Sequence, residues 1–354
     1  MPRARSRSLH ASRQIDTTVD LARLIEIVSA FSRQAICVLG DFVLDEFVSS
    51  DISRVSREAP VLILRHRKTD YYPGGGANAA MNLAALGARV TAVGVVGADD
   101  GGRVLVERFR GAKIDVRGVT RVRGWTTPVK TRFLAGWTHT TEQQVLRVDR
   151  EPSELVADAA VKRLESNVRL GTTKADALLV SDYGFGGATP DLVKRVSAKR
   201  ITLDSRYRLL EYRDCGITAA TPNESELEAA YHAQIGSNLV KLDELGQRAR
   251  EDLGVEALVV TRGKDGLAVF EEPSGKTGAH HIPVYGSDEA VDVTGAGDTV
   301  IAVFTLALAA GASHLEAAHL ANYAGGIVVM KRRTATVSRE ELGSALRAEA
   351  TAQR

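Results

Sequence analysis

Residues 291–302 have the sequence Val-Asp-Val-Thr-Gly-Ala-Gly-Asp-Thr-Val-Ile-Ala, in which a glycine loop leads into an apolar stretch from Val300 to Ala310. The apolar stretch has the length of a helix, and Gly311 supplies its end. Backbone N–H groups at the start of a helix are unpaired, the helix dipole favours negative charge there, and glycine lets an anion approach closely. The stretch therefore predicts a phosphate site at a helix start. The amides expected to form it are those of Gly295, Ala296 and Gly297.

Asp298 follows these glycines and falls in the first turn of the predicted helix. A carboxylate beside a phosphoryl group can accept a proton from an alcohol while the amides stabilise the group in transfer. An acid in the first turn is also a common feature of helix starts. The seven-residue string that begins at Asp292 is more specific than that. It lacks the Gly-Lys-Ser/Thr of a Walker A loop and the three spaced glycines of a dinucleotide fingerprint.

Upstream of this string, short apolar runs alternate with helical stretches. The runs are 36–39, 90–96, 177–180, 201–203, 217–220 and 258–260. Most are continuously apolar, which is typical of parallel strands covered by helices on both faces, and several end in polar or acidic tips where ligands of open α/β sheets bind. Residues 43–66 and 128–149 alternate in part between apolar and polar residues, which predicts a half-exposed antiparallel sheet that forms a small lid.

Bulk composition narrows the class of protein. The 354 residues carry 46 Lys plus Arg and 44 Asp plus Glu, a net charge of +2 that gives no reason to expect a nucleic-acid partner. The longest apolar run is too short to span a bilayer, so no membrane partner is expected. Two cysteines are too few for a disulfide framework, and a reducing, cytoplasmic setting is the simplest interpretation.

The string at 292–298 resembles the second signature of the ribokinase (pfkB) family of carbohydrate kinases, whose final Asp is the catalytic base. The first signature of that family is similar to the stretch Gly74-Gly-Gly-Ala-Asn-Ala-Ala-Met-Asn-Leu-Ala-Ala-Leu-Gly87. The resemblance implies a three-layer α/β/α fold with a mainly parallel central sheet and a small β lid. We expect this kinase domain to cover residues 17–345, between a disordered tail at 1–16 and a frayed tail at 346–354.

The resemblance also implies roles for individual residues, with ATP and Mg²⁺ as cofactors. The implied sugar contacts are Gly74, Gly75 and Asn78. The strings Asn223-Glu-Ser-Glu226 and Thr261-Arg-Gly-Lys-Asp-Gly266 resemble the phosphate- and magnesium-ordering motifs of the family, although alone they would indicate a helix cap and a hairpin turn. The implied nucleotide contacts are Asn223, Glu226, Thr261, Gly263, Gly266, Asp292 and Thr294, with Glu226 as the magnesium ligand.

Further stretches resemble the heptose 7-phosphate kinases within the family. They are Gly40-Asp-Phe-Val-Leu-Asp45, residues 53–61, 143–149 and 221–226, Ser181-Asp-Tyr-Gly184 and residues 334–338. The resemblance implies phosphorylation of the anomeric hydroxyl of D-glycero-D-manno-heptose 7-phosphate to the 1,7-bisphosphate, for ADP-heptose and lipopolysaccharide core synthesis. Carboxylates suit sugar hydroxyls, and the candidates are Asp41, Asp45 and Asp182. A sugar phosphate requires cations, and the candidates in the lid are Arg54, Lys130, Arg132 and Arg147. Each of them could equally be a solvated charge on a strand face.

The chain departs from those kinases at three points, one of which is Ser56-Arg-Glu-Ala-Pro60 in place of the string Ser-Pro-Glu-Ala-Pro. Phe185 stands where they usually carry Lys, and Asp204-Ser-Arg206 replaces Asp-Pro-Lys, so a phosphate contact is in doubt and Arg206 is its candidate replacement. Nothing matches the motif of a fused cytidylyltransferase-like domain, so we expect a monofunctional kinase. Because lid strands of this family often pair between chains, we expect a homodimer.

Three other functions compete with this interpretation. One is a kinase for another sugar or nucleoside, such as ribose or fructose 6-phosphate. Another is a sugar sensor without catalysis, which would have no need of the base in the intact Gly-Ala-Gly-Asp string. The third is a dinucleotide oxidoreductase, for which the fingerprint glycine loop is missing.

Overall fold

The computed structural model describes residues 19–137, 142–272, 279–287 and 290–353. The helices are α1 (Leu21–Ser29), α2 (Gly76–Ala85), α3 (Asp100–Gly111), α4 (Asp158–Thr172), α5 (Pro190–Val193), α6 (Glu224–Tyr231), α7 (Leu239–Leu253), α8 (Ala296–Ala309), α9 (His314–Val328) and α10 (Arg339–Ala352). The strands are β1 (Ala35–Val55), β2 (Leu62–Gly75), β3 (Arg89–Gly97), β4 (Asp115–Val122), β5 (Val129–Gly136), β6 (Gln143–Arg150), β7 (Ala177–Asp182), β8 (Ile201–Ser205), β9 (Ala219–Ala220), β10 (Ala257–Thr261), β11 (Leu267–Glu271) and β12 (His280–Ile282).

The central sheet has the strand order β12-β11-β10-β9-β8-β7-β1-β3-β4. Its strands from β10 to β4 run parallel, while β11 and β12 form an antiparallel edge. The continuous apolar runs of the sequence fit this arrangement, because β7 is buried along its whole length.

Helices cover both faces of the sheet. Along β1, Ile36 and Val38 belong to the core shared with α8, whereas Cys37 and Leu39 belong to the core shared with α4 and α7. This alternation is the two-residue period of a strand that is covered on both sides. It confirms the predicted three-layer α/β/α fold with a mainly parallel sheet.

The lid grows out of the central sheet through one long strand. The first part of β1 pairs with β3 and β7, and its second part pairs with β2 and β5, while β5 also pairs with β6. The lid therefore lies beyond the carboxyl ends of the central strands. Two separate strands were expected here, but β1 continues unbroken from Ala35 to Val55. Gly40 lets the start of α2 lie close to this strand, since a Cβ at that position would lie 3.2 Å from the Gly76 Cα.

The ends of the chain differ in part from expectation. The helix expected at 17–33 begins at Leu21, where Asp20 caps it, and ends at Ser29 before a short 3₁₀ turn. The tail predicted at 1–16 lies outside the described residues. The tail predicted at 346–354 is helical as far as Ala352, because Ser338 caps α10 and Leu346 is fully buried in the core. Within the described ranges, no helix is long and apolar enough to cross a membrane.

Candidate active site

A cleft of about 530 Å³ opens where the central strands end beneath the lid. It is lined by the glycine loop at 293–298, by lid residues, by the residues that follow β7 and β8, and by the start of α6. The loop at 295–298 thus shares one pocket with Asp45 and Gly75. Three segments that are far apart in sequence meet there.

Asp298 lies in the first turn of α8 and is 3% exposed. The Asn78 side-chain amide donates to its Oδ2 at 3.0 Å, and the Tyr183 hydroxyl donates to its Oδ1 at 2.8 Å. Burial raises the pKa of Asp298 to about 6, and these two hydrogen bonds oppose the rise. The carboxylate is therefore mainly ionised at neutral pH, yet it binds a proton more readily than an exposed aspartate. Both properties suit a general base.

The glycine loop leaves backbone amides open to the cleft. Gly295 has a φ of 78° and precedes α8 without a side-chain cap. A Cβ there would lie 2.4 Å from the Asn78 Nδ2, so both the conformation and the contact require glycine. The Ala296 N–H donates to the Val293 carbonyl at 3.2 Å, which removes one of the three predicted amides. Those of Gly295 and Gly297 have no acceptor among the described residues.

The lid contributes one anion and two cations to the cleft. Asp45 accepts from Arg132 at 2.5 Å and from the Thr334 hydroxyl at 3.0 Å. Lys130 lies with its Nζ 5.0 Å from the centre of the Tyr183 ring. Gly74 makes room for Asp45, since a Cβ on that glycine would lie 2.5 Å from the Asp45 Oδ2.

A second pair of carboxylates faces Asp298 across the cleft. Asp204 is the next-to-last residue of β8, and Glu226 forms a capping box with Asn223 at the start of α6. Burial raises the pKa of Glu226 to about 7, and burial followed by repulsion from Glu226 raises the pKa of Asp204 well above its usual range. A divalent cation with oxygen ligands would relieve this repulsion.

These acids do not form a complete metal site by themselves. The described parts of the chain contain no group of three or more His, Cys, Asp or Glu side chains that could hold a metal ion. Mg²⁺ commonly takes one or two carboxylates and completes its shell with waters and substrate phosphates. Asp204 and Glu226 fit that pattern.

A smaller cavity of about 270 Å³ adjoins the cleft. The two share Thr261, Val293, Ala296 and Gly297, so the second cavity lies directly beside the glycine loop. Its remaining lining is largely apolar and backbone, and includes Gly263, Gly266, Leu267, Val284, Val300 and Val329. Such a slot suits a flat, mainly apolar ring, while the glycine loop faces the phosphates attached to it.

Comparison with known proteins adds a family to this geometry. The family model described as pfkB family carbohydrate kinase matches residues 34–341. The chain belongs to the pfkB family of carbohydrate kinases. This confirms the family expected from the two glycine signatures.

Relatives and solved structures agree with this assignment. The chain is 38% identical over 316 residues to the bifunctional protein HldE of Geobacter sulfurreducens, covering 87% of this chain and 62% of the relative. It is 35% identical over 340 residues to the HldE of Magnetococcus marinus, covering 92% of this chain and 66% of the relative. The chain thus spans a little under two thirds of the length of these relatives.

The structural matches establish the fold. Phosphofructokinase-2 of Escherichia coli in complex with potassium superposes with a TM-score of 0.72 at 18% identity, covering 90% of this chain and 99% of that one. Ribokinase of Arabidopsis thaliana complexed with ribose and ATP superposes with a TM-score of 0.66 at 19% identity, covering 88% of this chain and 98% of that one. The fold is ribokinase-like, as expected.

Most of the residues predicted from the pfkB signatures lie at the two cavities. The cleft is lined by Asp45, Gly75, Lys130, Arg132, Asn223, Glu226, Thr261, Thr294, Gly295, Ala296, Gly297 and Asp298. Thr261, Gly263 and Gly266 line the smaller cavity. Asn78 and Gly74 were expected to contact the sugar, but they do not line the cleft. Asn78 donates a hydrogen bond to Asp298, and Gly74 lies against the Asp45 carboxylate, so both support residues that line the cleft.

Three predicted contacts are carboxylates that bind donors of the protein and do not line the cleft. The Asp41 carboxylate accepts three backbone N–H groups and does not reach the cleft. Asp182 is 1% exposed and binds Arg208 and Tyr212. Asp292 accepts from the backbone N–H groups of Thr294 and Arg333. Asp41 and Asp182 are buried and bound by several protein donors, whereas Asp292 is partly exposed and accepts one N–H on each oxygen.

Two predicted phosphate clamps do not line the cleft. Arg54 is exposed near the far end of β1, where the β1–β2 hairpin leaves the body of the protein. Arg147 lies on β6, which is exposed along its whole length, and it pairs with Asp149 at 2.5 Å. The alternation of apolar and polar residues along the lid strands does not show which face of the lid is directed towards the cleft.

Sequence reasoning gave no site role to Tyr183, Tyr207 or Asp204, all of which line the cleft. Tyr183 belongs to the Ser181-Asp-Tyr-Gly184 stretch, which was noted only as a resemblance. Asp204 was noted as one of several polar strand ends. The position of an acidic residue directly after the apolar run 201–203 was the available signal.

Proposed function

We propose that this pfkB chain transfers a phosphoryl group from ATP to the anomeric hydroxyl of D-glycero-D-manno-heptose 7-phosphate, to form the 1,7-bisphosphate for ADP-heptose and lipopolysaccharide core synthesis. The observation that carries the proposal is the buried Asp298 carboxylate at the open start of α8. It lies in one cleft with cations from the lid and from the end of β8. The similarity to HldE proteins over most of the chain supports the heptose branch.

The reacting groups follow from this geometry. The ionised Asp298 accepts the proton of the attacking hydroxyl, while Asn78 holds the other carboxylate oxygen in place. The open amides of Gly295 and Gly297 face the phosphoryl group and stabilise charge that develops on it. Asp204 and Glu226 would hold Mg²⁺, which would supply positive charge to neutralise the nucleotide phosphates.

Lys130 and Arg206 provide the charge that a phosphorylated sugar requires. Both line the cleft and neither is ion-paired among the described residues, although Asp45 acts on Lys130, and Asp204 and Glu226 act on Arg206. Burial lowers the pKa of Lys130, and repulsion from Arg206 lowers it further. Two adjacent cations that form no direct ion pair among the described residues favour a bound phosphate.

The same arrangement accounts for the missing lysine at position 185. Phe185 packs against the core on the α4 and α7 side of the sheet, and it gives only its backbone N–H to Asp41. Arg206 lies in the cleft instead, with its guanidinium carbon 5.4 Å from the centre of the Tyr207 ring. We assign to Arg206 the phosphate contact that the lysine would supply.

A panel of acceptors tests this function. The purified protein is incubated with MgATP and heptose 7-phosphate, fructose 6-phosphate or ribose, and ADP release is followed together with the phosphorus NMR spectrum of the product. We expect kcat/KM to be highest for heptose 7-phosphate, with a new phosphate signal from the anomeric position. A higher kcat/KM for fructose 6-phosphate or ribose would favour the alternative of another sugar kinase.

We also propose that two chains associate through their lids in the cytoplasm. The lid exposes apolar side chains, among them Val55, Leu62, Leu146 and Val148, whose exposed fractions are 59%, 46%, 56% and 44%. Such a surface on a sheet with the exposed strand β6 favours pairing with a second copy. Cys37 and Cys215 are both unpaired and buried, which suits a reducing compartment.

The dimer is tested by sedimentation. Leu146→Glu should convert the protein to a monomer. Leu170→Glu is the matched control, because Leu170 is 77% exposed on α4 and belongs to no lid strand. A parent protein with the mass of one chain, or a Leu146→Glu variant that keeps the mass of two, would contradict the lid dimer.

A further inference from the structure

The loop that follows β7 is held by buried carboxylates. Asp41 Oδ2 accepts from the N–H groups of Tyr183 at 2.8 Å and Phe185 at 2.9 Å, and its Oδ1 accepts from Gly187 at 2.7 Å. Asp182 accepts from the Gly184 N–H at 2.9 Å. Four of the five backbone amides from 183 to 187 are therefore bound to two carboxylates, which fixes the path of the loop.

This loop presents the Tyr183 ring to the base. The ring packs against Gly75, where a Cβ would lie 3.1 Å from it, and Lys130 covers it at 5.0 Å. Its hydroxyl reaches the Asp298 Oδ1 at 2.8 Å. The Gly75 φ of 55° and the missing side chain at that position leave space for the ring.

We propose that Tyr183 is a positioning residue for the base Asp298 and that Asp41 holds it there through the backbone of the loop. The inference rests on the proposed function, because it gives Asp298 its catalytic role. The phenol donates to one carboxylate oxygen while Asn78 donates to the other, so the plane of the carboxylate is set from two sides. A donor to the charged form also favours ionisation of the base.

Other charged groups face the same carboxylate. They are Asp45 from β1, Lys130 from β5, Asp204 from the end of β8 and Glu226 from α6. Asp45, Asp204 and Glu226 disfavour its charge, and Lys130 favours it. The Tyr183 hydroxyl is an uncharged donor to Asp298, so the variant Tyr183→Phe removes this hydrogen bond without changing any formal charge.

The test compares Tyr183→Phe, Asp41→Asn and their double variant with the parent. Tyr231→Phe is the matched control, since its hydroxyl also donates to an aspartate, Asp252 Oδ2 at 2.7 Å, and neither residue lines the cleft. We expect Tyr183→Phe to lower kcat about tenfold, leave the KM for ATP unchanged and move the acidic limb of the kcat profile upwards by about one pH unit. Asp41→Asn should act in the same direction, because one amide oxygen cannot accept all three N–H groups.

The double variant separates positioning from general stability. If Asp41 acts through Tyr183, the double variant loses less kcat than the product of the two single losses. Multiplicative losses, or an Asp41→Asn variant that unfolds more readily but keeps the parent pH profile, would overturn the role of Asp41. An unchanged acidic limb in Tyr183→Phe would overturn the role of Tyr183.

A measurement without turnover keeps the inference independent of the proposed reaction. Carbon NMR of protein labelled at the aspartate carboxyls, with the Asp298 signal assigned from Asp298→Asn, follows its titration directly. Tyr183→Phe should raise the midpoint, and Tyr231→Phe should not. A parent that turns over no sugar would refute the proposed function, whereas an unmoved Asp298 titration would refute this inference.

Discussion

Replacing Asp298 by Asn should remove catalysis and stabilise the protein at the same time. Burial holds the pKa of this carboxyl near 6 in the folded chain, against an ordinary value of 3.8. At 1.36 kcal/mol per pH unit, that difference corresponds to about 3 kcal/mol of stability lost when the group is fully ionised. Asparagine cannot ionise and does not carry this cost.

The sign follows from proton binding. Because the folded state holds the proton more tightly than the unfolded state, the free energy of unfolding of the parent falls as pH rises from about 3.8 to about 6. Asp298→Asn lacks this fall. The Asn side chain also lacks the second carboxylate oxygen that accepts from the Tyr183 hydroxyl, and this loss lowers the stability gain by about 1 kcal/mol. A net gain of about 2 kcal/mol is expected at pH 7.5.

Urea unfolding of both proteins at pH 7.5 and pH 5 measures the effect. The advantage of the variant should shrink by about 1.5 kcal/mol between pH 7.5 and pH 5, and this change does not depend on the hydrogen-bond offset. Asp99→Asn provides a control of opposite sign. Although burial raises the pKa of Asp99, hydrogen bonds from Thr127 and Gly102 hold it below its usual value, so that variant should be less stable than the parent at pH 7.5. If Asp298→Asn is destabilised by the same amount at both pH values, the reasoning about its burial is wrong.

Two further substitutions probe the glycine loop and the cations. Gly295→Ala places a Cβ 2.4 Å from the Asn78 Nδ2, in a left-handed conformation that costs about 1–2 kcal/mol. Its kcat should fall about a hundredfold. Gly111→Ala is the control, because its Cβ would meet no atom within 4 Å, and it should change neither kcat nor stability appreciably. Equal kcat values for the two alanine variants would show that the loop tolerates a side chain. Lys130→Met and Arg206→Met should each raise the KM for heptose 7-phosphate about tenfold while the KM for an unphosphorylated sugar stays unchanged, as measured by ADP release, and equal increases for both sugars would exclude the phosphate clamp.

The glycine motifs could be predicted from sequence because their constraints are local. Gly295 needs a positive φ at the start of a helix, and the amides beside it face outwards whatever packs behind them. The apolar runs predicted the parallel sheet for a similar reason, since continuous burial needs no knowledge of partners. The position of Asp298 in the cleft follows from these two local features.

Contacts between distant segments could not be predicted in this way. Asp41 looked like a sugar ligand, yet its three donors lie more than 140 residues further along the chain. Arg132 and Arg147 are opposite each other in the antiparallel pair of β5 and β6. Arg132 lines the cleft, whereas Arg147 lies on the exposed strand β6. The sequence pattern does not distinguish these two arginines. Tyr183 resembled an ordinary aromatic residue after a strand, because its partner Asp298 is 115 residues away.

The turnover number of Asp298→Asn with MgATP and heptose 7-phosphate at pH 8 tests the catalytic assignment most directly. Asparagine keeps the size of the side chain but cannot accept the proton of the attacking hydroxyl, so kcat should fall by about 10²- to 10⁴-fold relative to the parent. A variant that releases ADP in a sugar-dependent reaction at a rate within about threefold of the parent would contradict the account.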